Sequence, residues 1–373
     1  MIPQNDLAAG YAQYQPLIDT AVDRVAKSGF YILGREVERF EHEFAGYVGV
    51  SYGVGVASGT DAIEVALRAC HIGPGDLVLT VSHTAVATVV GIERSGAAVA
   101  LVDVDPATYT MSPASLESVI ATLPGDAPRP KAVVPVHLYG QLADMPAICD
   151  IAQKHGLRVI EDCAQAHGAA LGDRRAGTWG VAAAFSFYPT KNLGALGDAG
   201  LIVTDDAALA SDARQLRQYG WGDQRLSQRV GVNSRLDELQ AAILVEKLTL
   251  LDLDNDRRRE IAGAYNEALA AAEIKTPATR ENSDHVYHQY VIQSDRRDAL
   301  RDFLAERNIG TAIHYPRAVH QQPAYQDRLM GCERLPATEE LVPTILSLPI
   351  YPQLNDDRLA EIRVALHAWS RRG

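Results

Sequence analysis

Cysteine is scarce in this chain of 373 residues: Cys70, Cys149, Cys163 and Cys332 lie far apart, with no CxxC pair. That spacing excludes zinc fingers of the usual kind and a disulfide framework, and reads as reduced thiols in a cytosolic protein. No metal site is expected. Long apolar runs are also missing, and none approaches the ~20 residues that span a bilayer. The opening stretch MIPQNDLAAGYAQYQPL lacks the basic and apolar regions of a secretory signal. A cytoplasmic location is therefore expected, with no membrane partner. Basic residues do not prevail either, and the formal net charge is −12. Nucleic acid is excluded as a bulk partner on that ground, although a locally basic pocket can still hold a small anion. There is no low-complexity tract and no internal repeat.

The composition that remains is that of an ordinary globular protein, 47% apolar and 22% charged. The length predicts two domains. A helix is expected over 36–47, with Val37, Phe40, Phe44 and Tyr47 on one face, and another carries Ile63, Ala66, Leu67 and Cys70. Short apolar runs at 77–80, 99–102, 132–136, 159–160 and 201–204 read as strands, with helices such as 145–155 between them. Strands spaced by helices imply an α/β domain with a mainly parallel sheet. From 236 to 272 the pattern is helical almost throughout. Strand candidates then follow at 287–292 and 311–314, with a helix at 297–307. The expected division is a large domain over 1–250 and a smaller C-terminal α+β domain over 251–373.

Two acids, Glu161 and Asp162, stand where the apolar strand Val159-Ile160 ends. Ligands of open parallel sheets sit beyond the carboxyl ends of strands. Further on, Lys191 lies between the aromatic run Phe185-Ser186-Phe187-Tyr188 and several glycines. A lysine among small and apolar residues is partly desolvated, which lowers its pKa and frees the amine as a nucleophile. Pyridoxal 5'-phosphate chemistry needs such an amine, and a carboxylate to keep the pyridine nitrogen protonated. Lys191 and Asp162 suit those two roles. Ser58-Gly59-Thr60-Asp61 stands between a strand and a helix, where free N–H groups favour an anion such as a phosphate; Ser58, Thr60 and Asp61 would equally serve as helix N-caps. Ser186 can add a hydroxyl to the same phosphate.

Five segments, ASGTDAIEVAL (57–67), VIEDCAQAHGA (159–169), FSFYPTKNLGALGDAG (185–200), VGVNSRLDELQAA (230–242) and IHYPRAVHQQPAY (313–325), together resemble the DegT/StrS family of sugar-nucleotide aminotransferases. This is a branch of the fold-type I pyridoxal-phosphate enzymes, and the likeness covers essentially the whole chain. It implies an aspartate aminotransferase-like fold. It also implies that Lys191 carries the cofactor as a Schiff base and shuttles the proton, that Asp162 pairs with the pyridine nitrogen, and that Gln165 reaches the ring hydroxyl. Ser58, Gly59, Thr60 and Ser186 would hold the phosphate. Asn233 would reach the phosphate of a neighbouring subunit, making the enzyme a homodimer with shared sites. His314, Tyr315 and His320 would lie over the sugar-nucleotide, with Tyr188 close to the sugar and Glu161 in a structural role. One position departs from the family pattern: an aromatic residue that stacks on the cofactor ring is replaced by Ala85. His83, two residues earlier in an extended segment, is expected to supply the stack.

The resemblance implies L-glutamate as amino donor and a nucleotide-linked keto-sugar as acceptor. Relatives with histidine in place of the lysine carry out dehydration, so Lys191 implies transamination. The form of the lysine motif is similar to that of enzymes aminating C-3 of dTDP-3-keto-6-deoxyhexoses. A C-4 or C-2 enzyme using a dTDP- or UDP-sugar and a cyclitol aminotransferase are the alternatives. A cysteine desulfurase would need a catalytic thiol, for which only Cys332 is placed; a regulatory protein on this scaffold could dispense with the lysine.

Overall fold

Runs such as Leu77–Val81 are apolar at successive positions, so both faces of the strand need cover. The structure, a computed structural model, describes residues 1–270, 272–333 and 335–371. In chain order the elements begin α1 (Leu7–Ser28), α2 (Arg35–Val48), β1 (Tyr52–Val56), α3 (Gly59–Ala69), β2 (Asp76–Val81), α4 (Ala87–Ser95), β3 (Ala98–Val102), α5 (Pro113–Thr122), β4 (Arg129–Val134), α6 (Met145–His155) and β5 (Arg158–Asp162). They continue β6 (Ala170–Leu171), β7 (Arg174–Arg175), β8 (Ala182–Ser186), β9 (Gly200–Thr204), α7 (Ala207–Leu216), α8 (Glu238–Leu248), α9 (Leu251–Leu269), β10 (Ser283–Asp284), β11 (Tyr290–Gln293), α10 (Arg297–Ala305), α11 (Pro336–Leu341), β12 (Ile345–Leu348) and α12 (Asp356–Ser370).

Seven strands form one sheet in the order β1-β9-β8-β5-β4-β2-β3. All neighbours are parallel except β9, which runs against both β8 and β1. Because side chains alternate along a strand, Leu79, Val133, Val159 and Phe185 face α2, α5, α6 and α8, packing with Phe40, Phe44, Leu116, Ile148 and Leu244. Val78, Leu101, Val134 and Ile160 face the other way, onto Ile63, Leu67, Ile92 and Leu209 of α3, α4 and α7. This is an α/β fold with helices on both faces of a mostly parallel sheet.

A separate core joins α9, α10, α12 and the antiparallel pair β11–β12, centred on Tyr265, Tyr290, Phe303, Leu346 and Leu366. Ile2 belongs to this core and pairs with Ile309. In the opposite sense, Val319, Tyr325 and Leu335 pack into the sheet's own core. The helical stretch after residue 236 is broken between α8 and α9. The strand expected at 287–292 starts only at Tyr290, since Tyr287 has a φ of 43°, outside extended backbone. The one expected at 311–314 is reduced to a single pairing of Ala312 with Ser347. No helix among the described residues is long and apolar enough to cross a membrane.

Candidate active site

The strands β1, β5 and β8 point the same way, and their carboxyl ends meet at one edge of the sheet. β5 ends on Asp162 and β8 on Ser186, while β1 leads through Ser58 into α3. Ser58 caps that helix, its Oγ accepting the N–H of Asp61 at 3.1 Å. Gly59 opens the helix directly against Ser186: a Cβ at residue 59 would lie 2.6 Å from the Cβ of Ser186. Gly200, at the start of β9, is as close to Ser58, and a Cβ there would come within 2.3 Å of the Ser58 carbonyl. The glycines let backbone approach backbone, so the N-terminus of α3 and the hydroxyl of Ser186 border one cavity of about 220 Å³. Gly59→Ala is expected to weaken cofactor binding about tenfold, the result of an overpacked contact costing ~1–3 kcal/mol. Titration of the apoprotein with pyridoxal phosphate checks this, and an unchanged affinity would refute the close-approach argument.

Asp162, Gln165, Tyr188, Lys191 and Thr88 also line this cavity. Burial raises the pKa of Asp162. The hydroxyl of Thr88 donates to its Oδ2 at 2.8 Å, the N–H of Ala164 donates to its Oδ1 at 3.1 Å, and the cation of Lys191 also favours its charged form. Burial lowers the Lys191 amine to about 8, with the Asp162 carboxylate pulling the other way. Gln165 is clamped by its Oε1, which accepts the backbone N–H of Tyr139 at 2.8 Å, and its Nε2, which donates to the Tyr315 hydroxyl at 3.1 Å. A nucleophilic amine, a buried carboxylate and an anion-binding helix terminus on one cavity are the donor set that pyridoxal phosphate requires. The cradle at Gly59 has no room for a side chain, and the residues present fit the group.

Residues 13–367 match the DegT/DnrJ/EryC1/StrS aminotransferase family. The chain belongs to that family. The dTDP-3-amino-3,6-dideoxy-alpha-D-galactopyranose transaminase of Aneurinibacillus thermoaerophilus is 46% identical over 99% of both chains. The UDP-N-acetyl-3-dehydro-alpha-D-glucosamine 3-aminotransferase of Acidithiobacillus ferrooxidans is 43% identical over 98% of this chain and 97% of its own. The crystal structure of S. venezuelae DesV in complex with a ketimine intermediate superposes with a TM-score of 0.95, at 42% identity, covering 100% of this chain and 99% of that one. The protein is thus an aminotransferase whose cofactor is pyridoxal phosphate.

Ser58, Gly59, Thr60, Asp162, Gln165, Ser186, Tyr188 and Lys191 come together in the aminotransferase cleft. His314 and Tyr315 do not line it and connect to it only through Gln165 and Lys191. Tyr315 is bonded to Gln165, and burial, aided by the charge of Lys191, lowers His314 to about 4. Three further expected residues are also absent from the cleft lining, among them Asn233, expected at a neighbouring subunit's phosphate. Asn233 is exposed and does not line the cleft, pairing through its backbone with Gln218. His320 bonds to Glu339 at 3.1 Å and is also away from the cleft walls. His83 is sealed in the interior, and Ala85, not His83, lines the cleft. The chain bends at 82–84 before entering α4, so residues 83 and 85 do not share a side as they would in a straight strand.

Two residues with roles here were not singled out from the sequence, Thr88 and Tyr139. Thr88 sits in the first turn of α4, and the only signal was a hydroxyl shortly after a strand end. Tyr139 has a φ of 61° and gave no signal. Its hydroxyl donates to the His314 carbonyl, so the 2.7 Å contact with His83 must be donated by His83 Nε2. His83 is neutral there, as burial lowers it to about 4. Glu161 is a brace: its oxygens accept the N–H groups of Gly177, Trp179 and Gly180 at 2.7–2.9 Å and bond to His137 at 2.9 Å. His137, Glu161 and Cys163 cluster at metal-ligand spacing, but His137 Nδ1 accepts the N–H of Ala143, so both its nitrogens are occupied. Cys332 lies outside the cleft, its thiol on the Leu329 carbonyl.

Proposed function

We propose that this enzyme transfers the amino group of L-glutamate to C-3 of a dTDP-linked 3-keto-6-deoxyhexose. The observation that carries the reading is the pair Lys191 and Asp162 facing one cleft beside the N-terminus of α3. It is supported by full-length relatives that act at C-3 of nucleotide-linked sugars.

The bound cofactor supplies an electron sink for the charge left when a substrate carbon loses its proton. The Asp162 carboxylate, aimed by Thr88 and the Ala164 N–H, holds a proton on the ring nitrogen. The N–H groups of Gly59 and Thr60, with the hydroxyls of Ser58 and Ser186, hold the phosphate. Gln165 meets the ring hydroxyl. Lys191, its amine already shifted toward neutrality, would move the proton between the substrate carbon and the cofactor, one way in the donor half-reaction and the other way in the acceptor half. Tyr188, His314 and Tyr315 close over the sugar. His320 joins them over the sugar-nucleotide, and Asn233 reaches the phosphate of a second copy of the chain. That homodimer is supported by the exposed apolar groups Phe30, Tyr31, Leu226 and Val230 on the segments beside Asn233. The reaction takes place in the cytoplasm, in keeping with four unpaired thiols.

The visible spectrum tests the donor reading. The yellow band of the holoenzyme is expected to bleach on addition of L-glutamate and to return with a dTDP-3-keto-sugar. Persistence of the band with glutamate would refute the donor. Recovery with a UDP-sugar and not with the dTDP-sugar would move the acceptor to the other nucleotide.

A further inference from the structure

A second cavity, of about 260 Å³, lies beside the cofactor cleft, and Lys191 is a wall of both. It is enclosed by α1, the 189–196 loop, α8, α9 and residues 351–353. Two further cations line it. Lys247 of α8 donates to the Gly194 carbonyl at 2.5 Å. Arg258 of α9 donates from Nη1 to the carbonyls of Tyr287 and Ile350 at 3.2 and 3.1 Å, and its buried Nε has no hydrogen-bond partner. Burial lowers Lys247 to about 8 and Arg258 to about 10, so both remain charged at neutral pH.

Two carboxylates oppose them. Asp254 accepts the Tyr14 hydroxyl at 2.5 Å, and Asp6 at the mouth lies 3.8 Å from Arg358. With Asp6 set against Arg358, Lys247 and Arg258 exceed Asp254 by one positive charge. Carbonyl oxygens solvate that charge without neutralising it, and a low-dielectric pocket with such an excess favours an anion. Ser58, Gly59, Thr60 and Ser186 do not border this cavity, so it is separate from the phosphate site.

We propose that this cavity receives a carboxylate of the amino donor, with Lys247 and Arg258 as its counter-charges. The inference rests on the donor reading above. It meets a requirement of that chemistry: the donor's amine must reach Lys191 while its distal anionic end is held away from the cofactor phosphate. Asn5, Thr190 and Gln353 offer polar groups at the wall.

Glutarate, a dicarboxylate without an amine, is the probe. Calorimetric titration of the holoenzyme should show glutarate binding in competition with glutamate. Lys247→Gln keeps a donor for the Gly194 carbonyl and removes the charge; it should weaken glutarate about tenfold, as expected for loss of a charge-assisted contact. Lys247→Arg should restore most of the affinity, and butyrate should respond less than glutarate. Should the Gln variant fail to fold, amine labelling of the wild type replaces it, with glutarate expected to slow modification of Lys247. No glutarate binding to the wild type, equal binding to both proteins, or unprotected Lys247 overturns the proposal. A loss falling on dTDP and not on glutarate also overturns it, by assigning the cavity to the nucleotide's phosphates. Glutarate binding in an enzyme that glutamate does not bleach would leave the anion site standing and sink the donor reading instead.

Discussion

Lys191→Ala is expected to lower turnover by at least about 10³-fold, since one group serves as both nucleophile and proton carrier. The protein should still fold, because the backbone N–H of Lys191, not its side chain, makes the 2.8 Å bond to Tyr188 that shapes the loop. Mass measurement after borohydride reduction separates this result from simple cofactor loss. The wild type should gain the mass of the cofactor on Lys191, and the variant should gain none even when saturated with pyridoxal phosphate. A variant that still fixes the cofactor would remove Lys191 from the mechanism. The amine's value of about 8 sets a second test. Only the neutral amine attacks a carbonyl, so capture of cofactor by the wild-type apoprotein should quicken as pH rises toward 8 and level off above it.

Asp162→Asn is expected to cost about 10²–10³ in turnover, the usual effect of removing one preorganised electrostatic partner. Cofactor binding should survive, because the phosphate site is built from other residues. The local structure should also survive: the new side-chain amide can accept the Ala164 N–H through its carbonyl oxygen, and the Thr88 hydroxyl can turn to accept from its nitrogen. Thr88 already has a second partner in Thr84, 3.0 Å away. Stability gives an independent check with a definite sign. Burial raises the pKa of Asp162 in the folded apoprotein, so the native state holds that proton more tightly than the unfolded chain. The resulting stabilisation is present in acid and is lost as pH rises through the raised value. The asparagine variant lacks this term, and at neutral pH its apoprotein should melt no lower than the wild type. Near-normal turnover, or a clear loss of apoprotein stability at neutral pH, would contradict the role given to Asp162.

The catalytic pair was legible because its chemistry is local. Asp162 ends an apolar strand, and Lys191 stands among aromatic residues and glycines; both patterns occupy a few adjacent positions. Gly59 was legible as part of a strand-to-helix junction, though its contact with Ser186 was not, since 127 residues separate the two. The reading of His83 depended on an extended segment that the bend before α4 removes. Tyr139 was silent because its role comes from a left-handed backbone and from partners at 83, 165 and 314 that no sequence window contains.

By itself the sequence determined the alternation of strands and helices, the acid and the amine, and the family, because periodicity and short motifs record neighbours along the chain. Only the tertiary structure decided that β9 runs against the sheet, that Ala85 and not His83 lines the cleft, and that Lys191 also borders a second, cationic cavity. Those features arise from contacts between distant segments, where burial and hydrogen-bond geometry select one arrangement among many that the same local patterns allow.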